Sequence, residues 1–127
     1  MAAVRAQTTF TVSIESSPDP RVIRVHGELD SYTAGQLRDG IATTVGRPAV
    51  IIDIREVPFV DSAGLGALVG GVRRLREAGT GVAVCCDTSS VRRLLAVTGF
   101  DRMIAITDTL AEAEEVIAQT TADGSEP

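Results

Sequence analysis

Lysine is missing from this 127-residue chain, whose 12 basic residues are all arginine. Its absence excludes a P-loop lysine, a Schiff-base lysine and the lysine of a phospho-aspartate receiver site. There is no tryptophan, one tyrosine and three phenylalanines, although 44% of the residues are hydrophobic. The core is therefore expected to consist of Val, Ile, Leu and Ala. A net charge of −5 argues against a direct nucleic-acid surface. One histidine and two cysteines give poor support for a metal site. The cysteines are adjacent, Cys85-Cys86, and neighbours on a strand point to opposite faces, so no structural disulfide is expected. Met1 to Gln7 has no apolar stretch of the signal-peptide kind, and no apolar run approaches membrane-spanning length. The expectation is a cytoplasmic protein without membrane insertion.

What is present is an alternation of short apolar runs and capped helical patterns. Phe10, Val12 and Ile14 alternate with Thr9, Thr11 and Ser13, which predicts a half-buried strand. After a turn at Pro18-Asp19-Pro20, Val22 to Gly27 predicts a second strand, paired with the first as an antiparallel hairpin. Thr33 and Gln36 fit a capping box, and Ala34, Leu37, Ile41 and Val45 follow at helical spacing. Ala49 to Ile54 is a nearly continuous apolar run, the pattern of a strand covered on both faces. A long helix follows to Ala78, then a strand over Gly81 to Cys86 and a helix capped near Asp87, Thr88 or Ser89 that ends at Gly99. A last strand is predicted over Met103 to Ile106, and a last helix from Asp108 or Thr109. The order predicts one α/β domain with a mixed, mostly parallel β-sheet of about five strands and about four helices. Its expected bounds are residues 8–118, between a short arm, 1–7, and a flexible tail, 119–127.

The chemistry concentrates in Val60-Asp61-Ser62-Ala63-Gly64-Leu65-Gly66, between the central apolar run and the long helix. Ser62 stands at the mouth of that helix, beside a carboxylate. Helix N-termini tolerate added negative charge because their first N–H groups lack intrahelical partners. Gly64, Gly66, Gly70 and Gly71 weaken the helix by about 1 kcal/mol each relative to alanine. Two readings fit: a phosphorylatable docking surface, or a tightly packed helix–sheet contact.

Other constellations are weaker. Asp61-Ser62 lacks a nucleophile elbow and has only His26 as a candidate imidazole base, and His26 reads as a surface or sheet-edge residue. The glycines from Gly64 to Gly70, with Asp87 beyond, miss a dinucleotide fingerprint by one residue and lie inside the helical pattern. Asp53 reads as a strand-end carboxylate that caps a loop N–H. Glu28, Asp30 and Asp61 suggest an acidic rim facing a basic partner rather than a metal site. The five arginines Arg73, Arg74, Arg76, Arg92 and Arg93 read as solvated helix faces.

Two segments carry a family resemblance: Gly27-Glu28-Leu29-Asp30 with Thr33-Ala34, and Phe59 to Gly66. The chain resembles the STAS-domain anti-sigma factor antagonists of bacteria from about Thr8 to Ala118. The resemblance implies a non-enzymatic partner switch. The unphosphorylated antagonist binds an anti-sigma factor that is itself a serine kinase, and a sigma factor is released. ATP-dependent phosphorylation of Ser62 ends the complex, and a phosphoserine phosphatase restores it. The resemblance makes Asp30 a partner contact and assigns Asp61, Ser62, Gly64, Leu65 and Gly66 to the docking loop. Ala63 stands where relatives often carry Ser or Thr. No cofactor is expected in this chain, and the alternation of apolar runs and capped helices, with one His and two adjacent Cys, predicts a monomer when free. The competing class is a STAS interaction module of a stress-signalling scaffold or of a membrane lipid or anion transport system.

Overall fold

The computed structural model describes residues 9–15 and 19–124. The expected N-terminal arm lies outside them, as does Pro18 of the expected turn. Five strands stand in the order β1-β2-β3-β4-β5. They are β1 (Thr11–Ile14), β2 (Arg21–His26), β3 (Ala49–Glu56), β4 (Gly81–Cys85) and β5 (Ala105–Thr107). The expected hairpin is present, with Val12 opposite Val25 in an antiparallel pair. The other neighbours are parallel, as strand–helix–strand crossovers require.

Helices α1 (Ala34–Ala42), α2 (Ser62–Glu77), α3 (Ser89–Val97), α4 (Phe100–Met103) and α5 (Leu110–Gly124) complete the chain. The strands' alternation divides the core between two faces. Ile23, Val25, Val50, Ile52, Ile54 and Val84 meet α1, α2 and α3 on one face through Leu37, Ile41, Leu68, Val72, Leu75 and Leu95. On the other face Val22, Ile51 and Ala83 meet Ala113 and Ile117 of α5. The adjacent thiols obey the same alternation: Cys85 joins the α5 face and Cys86 the opposite one. Both are free, and burial pushes both thiols up from their ordinary pKa.

Three expectations need correction. Gly99 ends α3 with φ +82 as expected, but a further turn, α4, follows and buries Phe100. Met103 therefore ends a helix, and β5 starts at Ala105. Helix α5 continues past Gln119 to Gly124, into the segment expected as tail. Asp53 is no strand-end cap. It lies within β3, in a cross-strand row with Arg24 and Cys85. Arg55 grips its carboxylate through Nε and Nη2, each at 3.0 Å, and Arg24 Nη1 lies 2.9 Å away. Arg24 also bonds Glu15.

Burial opposes ionisation of Asp53, but the Arg55 hydrogen bonds and the charges of Arg55 and Arg24 outweigh it. Its carboxyl is held below the ordinary carboxylate range. The Asp53 side chain is 7% exposed, whereas Arg24 and Arg55 keep 43% and 30%. Solvent screening of these arginines brings the expected loss on Asp53→Asn to about 1–2 kcal/mol, below the ~3–5 kcal/mol for breaking a fully buried pair. A carboxylate with a depressed folded-state pKa contributes fully above its unfolded pKa and loses that contribution as pH falls through the folded one. The stability gap between wild type and Asp53→Asn should thus be full at pH 7 and shrink below about pH 4. Urea unfolding of both proteins across that range measures it.

Candidate functional site

The two motif segments meet at one end of the sheet. Beyond β3 the chain passes through Pro58 and Phe59, and Val60 forms a parallel bridge with Leu29. Leu29 N–H donates to the Phe59 carbonyl at 2.9 Å, and Asp61 N–H donates to the Leu29 carbonyl at 3.1 Å. Leu29 is fully buried, and Val57 and Val60 are buried too. Apolar anchoring from below and main-chain bonding from the side hold the loops in register.

Asp61 is the N-cap of α2, in extended backbone, and its Oδ1 accepts Gly64 N–H at 2.8 Å. Its carbonyl accepts Leu65 N–H at 2.8 Å, which closes the first turn. Ser62 is thereby placed at the first helical position, and it is exposed. The cap commits Asp61 Oδ1 to the first turn of α2. Gly64, Gly66 and Gly70 lie within α2, away from the strand–helix turn where a dinucleotide cradle would form.

The glycines separate by role. A Cβ on Gly64 would run into the Leu29 carbonyl, and one on Gly71 into Ile41. Gly66 and Gly70 are exposed, with open space where a Cβ would point. Packing thus explains Gly64 and Gly71, and a bare outer surface is left at Gly66 and Gly70. Gly64, expected in the docking surface, is buried behind it. Leu65 is half-buried against the core.

Asp30 also departs from the expected free rim charge. Its Oδ1 accepts Tyr32 N–H at 2.9 Å and Thr33 N–H at 3.1 Å. The Thr33 hydroxyl accepts Asp30 N–H and donates to the Glu28 carbonyl, both at 2.9 Å. Thr33 occupies the N-cap of α1 but makes no side-chain cap bond, so the expected Thr33–Gln36 capping box is not formed. Asp30 organises the turn in its place. His26 is exposed at the end of β2, an interior strand of the sheet. Arg76 and Arg92 are more than solvated dipole complements. Arg76 donates to the Met103 carbonyl at 2.6 Å, and Arg92 to the Cys86 carbonyl at 3.0 Å.

A family model, the STAS domain, matches residues 11–113. An anti-sigma-B factor antagonist of Listeria monocytogenes is 31% identical over 94 residues, covering 72% of this chain and 82% of its own. The chain belongs to the STAS-domain family of anti-sigma factor antagonists. A solved anti-sigma factor antagonist from Mycobacterium paratuberculosis superimposes on this STAS domain with a TM-score of 0.76 and 31% identity, covering 87% of this chain and 96% of the other. The Bacillus cell fate determinant SpoIIAA in its phosphorylated form gives a TM-score of 0.62 at 25% identity, over 86% and 99% of the two chains.

On this STAS domain the expected residues come together in part. Asp30, Asp61, Ser62 and Gly66 reach the surface at the junction of the two loops, and Gly64 and Leu65 support it from beneath. Two residues to which motif reading gave no role stand out. Tyr32 is 91% exposed and Phe59 is 51% exposed. The available signal was scarcity, since the chain's single tyrosine and one of its three phenylalanines fall inside these short segments.

The glycine roles can be tested without a partner. Gly64→Ala should destabilise by about 2 kcal/mol or more, because its Cβ meets backbone that cannot move aside cheaply. Gly66→Ala should stabilise by about 0.5–1 kcal/mol through helix propensity. Opposite shifts in urea midpoint are the expected outcome.

Proposed function

We propose that this STAS domain is an anti-anti-sigma switch. With Ser62 unmodified it binds an anti-sigma factor that is a serine kinase, and the sigma factor goes free. The kinase transfers the γ-phosphoryl group of ATP to Ser62 Oγ. The hydroxyl proton is lost, ADP departs, and the complex dissociates. A phosphoserine phosphatase then hydrolyses the ester and restores the binding form. The chain acts in the cytoplasm, as a monomer when free, and contributes no catalytic group of its own.

The observation that carries this reading is the placement of Ser62. Its side chain is exposed at the first position of a helix whose cap is occupied by the neighbouring Asp61. A phosphate there adds about −1.5 to −2 charges and three acceptor oxygens. The positive end of α2 can tolerate that charge, so the fold need not rearrange. The docked kinase faces the opposite situation. The phosphate stands beside Asp61 and next to the bare surface at Gly66, where bulk and repulsion oppose close approach. Among the described residues no helix is long and apolar enough to cross a membrane.

Ser62→Ala should bind the cognate anti-sigma kinase and take up no phosphate. Ser62→Asp should bind more weakly than wild type, with a smaller loss than true phosphorylation because one carboxylate has less charge and bulk. Neither change should cost more than about 1 kcal/mol of stability. Incubation with kinase and ATP, followed by intact-mass measurement and a binding titration, checks all three. Phosphate on Ser62→Ala, or equal affinity of modified and unmodified wild type, would refute the switch.

A further inference from the structure

We propose that Tyr32 and Phe59 are the apolar anchors by which this domain grips its kinase partner, and that the partner's receiving site is an apolar pocket with a basic rim. The inference rests on the switching role proposed for Ser62 and extends it to the residues that supply affinity.

Three large apolar side chains are strongly exposed among the described residues: Tyr32 at 91%, Val97 at 76% and Phe59 at 51%. Two of the three lie on the loops joined by the Leu29–Phe59 and Asp61–Leu29 hydrogen bonds. Exposed aromatics are costly to leave in water and are enriched among the residues that dominate binding energy. Their backbones are also fixed before binding. Tyr32 N–H is bonded to the Asp30 carboxylate and the Phe59 carbonyl to Leu29 N–H. Presenting two aromatic side chains from ordered backbone reduces the entropy lost on association.

Charge selects the occupant. Segments 27–33 and 57–63 contain Glu28, Asp30 and Asp61 and no arginine. A second copy of this face would set acids against acids, and a nucleic-acid backbone would meet the same repulsion. A protein with arginines or lysines around an apolar pocket is complementary. Phosphorylation of Ser62 would add negative charge to the same pair of loops that carry the aromatic anchors.

The test uses purified cognate anti-sigma kinase and the full chain. Wild type, Tyr32→Ala, Tyr32→Phe, Phe59→Ala, Val97→Ala and Ser62→Asp are titrated against it, and phosphorylation kinetics are measured for all but the last. Tyr32→Ala and Phe59→Ala should each weaken binding by about fivefold or more, chiefly through faster dissociation. They should raise KM for phosphorylation and leave kcat unchanged, with melting temperatures near wild type. Tyr32→Phe should retain affinity, and Val97→Ala should match wild type. A loss below about fivefold for either aromatic variant, or an equal loss for Val97→Ala, overturns the anchor assignment. So does a wild type that sediments as a dimer while Tyr32→Ala is monomeric, since a second copy would then occupy the face. If wild type and Ser62→Asp differ in affinity but the aromatic variants match wild type, only the anchors fail. If wild type neither binds the kinase nor accepts phosphate, the switching role fails and the anchors with it.

Discussion

The buried backbone of Leu29 is the junction on which the functional end of the molecule depends. Its N–H is held by Phe59 and its carbonyl by Asp61. The same carbonyl lies against the bare Cα of Gly64. A loop after β2 and a loop after β3 are distant in sequence, and loops ordinarily move independently. Here an extension of parallel pairing, the Leu29–Val60 bridge, carries the order of the sheet beyond its last regular rungs. The absence of one Cβ lets the first turn of α2 press against that extension. Position 64 thus has a structural requirement that explains its glycine without a partner, and positions 66 and 70 do not.

The two faces of the sheet are finished differently. One is covered by α1, α2 and α3 over a large apolar cluster. The other has α5 over part of its area, and beside that helix stands the Arg24–Asp53–Arg55 cluster. A carboxylate on a central strand is tolerated there because two guanidinium groups meet it and their outer atoms stay hydrated. This cluster tethers β2 to β3, the strands from whose ends the motif loops depart. It helps to hold the strands from which the motif loops depart.

A rigid platform suits a switch made by charge and bulk. Asp61 satisfies Gly64 N–H, the hydroxyl of Ser62 reaches solvent, and the helix below is anchored by Leu68, Val72 and Leu75. A modification at such a site alters what the surface will accept more readily than it alters the fold. The acidic surroundings of that loop favour a partner with basic groups.

Periodicity in the sequence was sufficient for the strand order of events, the hairpin, the buried β3 and the long helix, because these follow from local spacing of apolar residues. The family was legible from two short segments whose chemistry is local: a carboxylate that can cap, a hydroxyl, and glycines. Residues whose role depends on what lies across space were not legible. Asp53 reads as a loop cap until Arg24 and Arg55 are placed beside it from neighbouring strand positions. Asp30 and Thr33 exchange expected roles because one turn lets a carboxylate reach two N–H groups first. Four glycines in one helix look alike as letters. Only tertiary contact separates Gly64 and Gly71, which face a carbonyl and an isoleucine, from Gly66 and Gly70, which face open space. Sequence by itself determined the five strands and the long helices, and it placed Ser62 at a helix start beside a capping carboxylate, since these depend on near neighbours along the chain. The tertiary structure decided which side chains remain on the surface to meet a partner, since exposure is set by residues distant in sequence that fold against them.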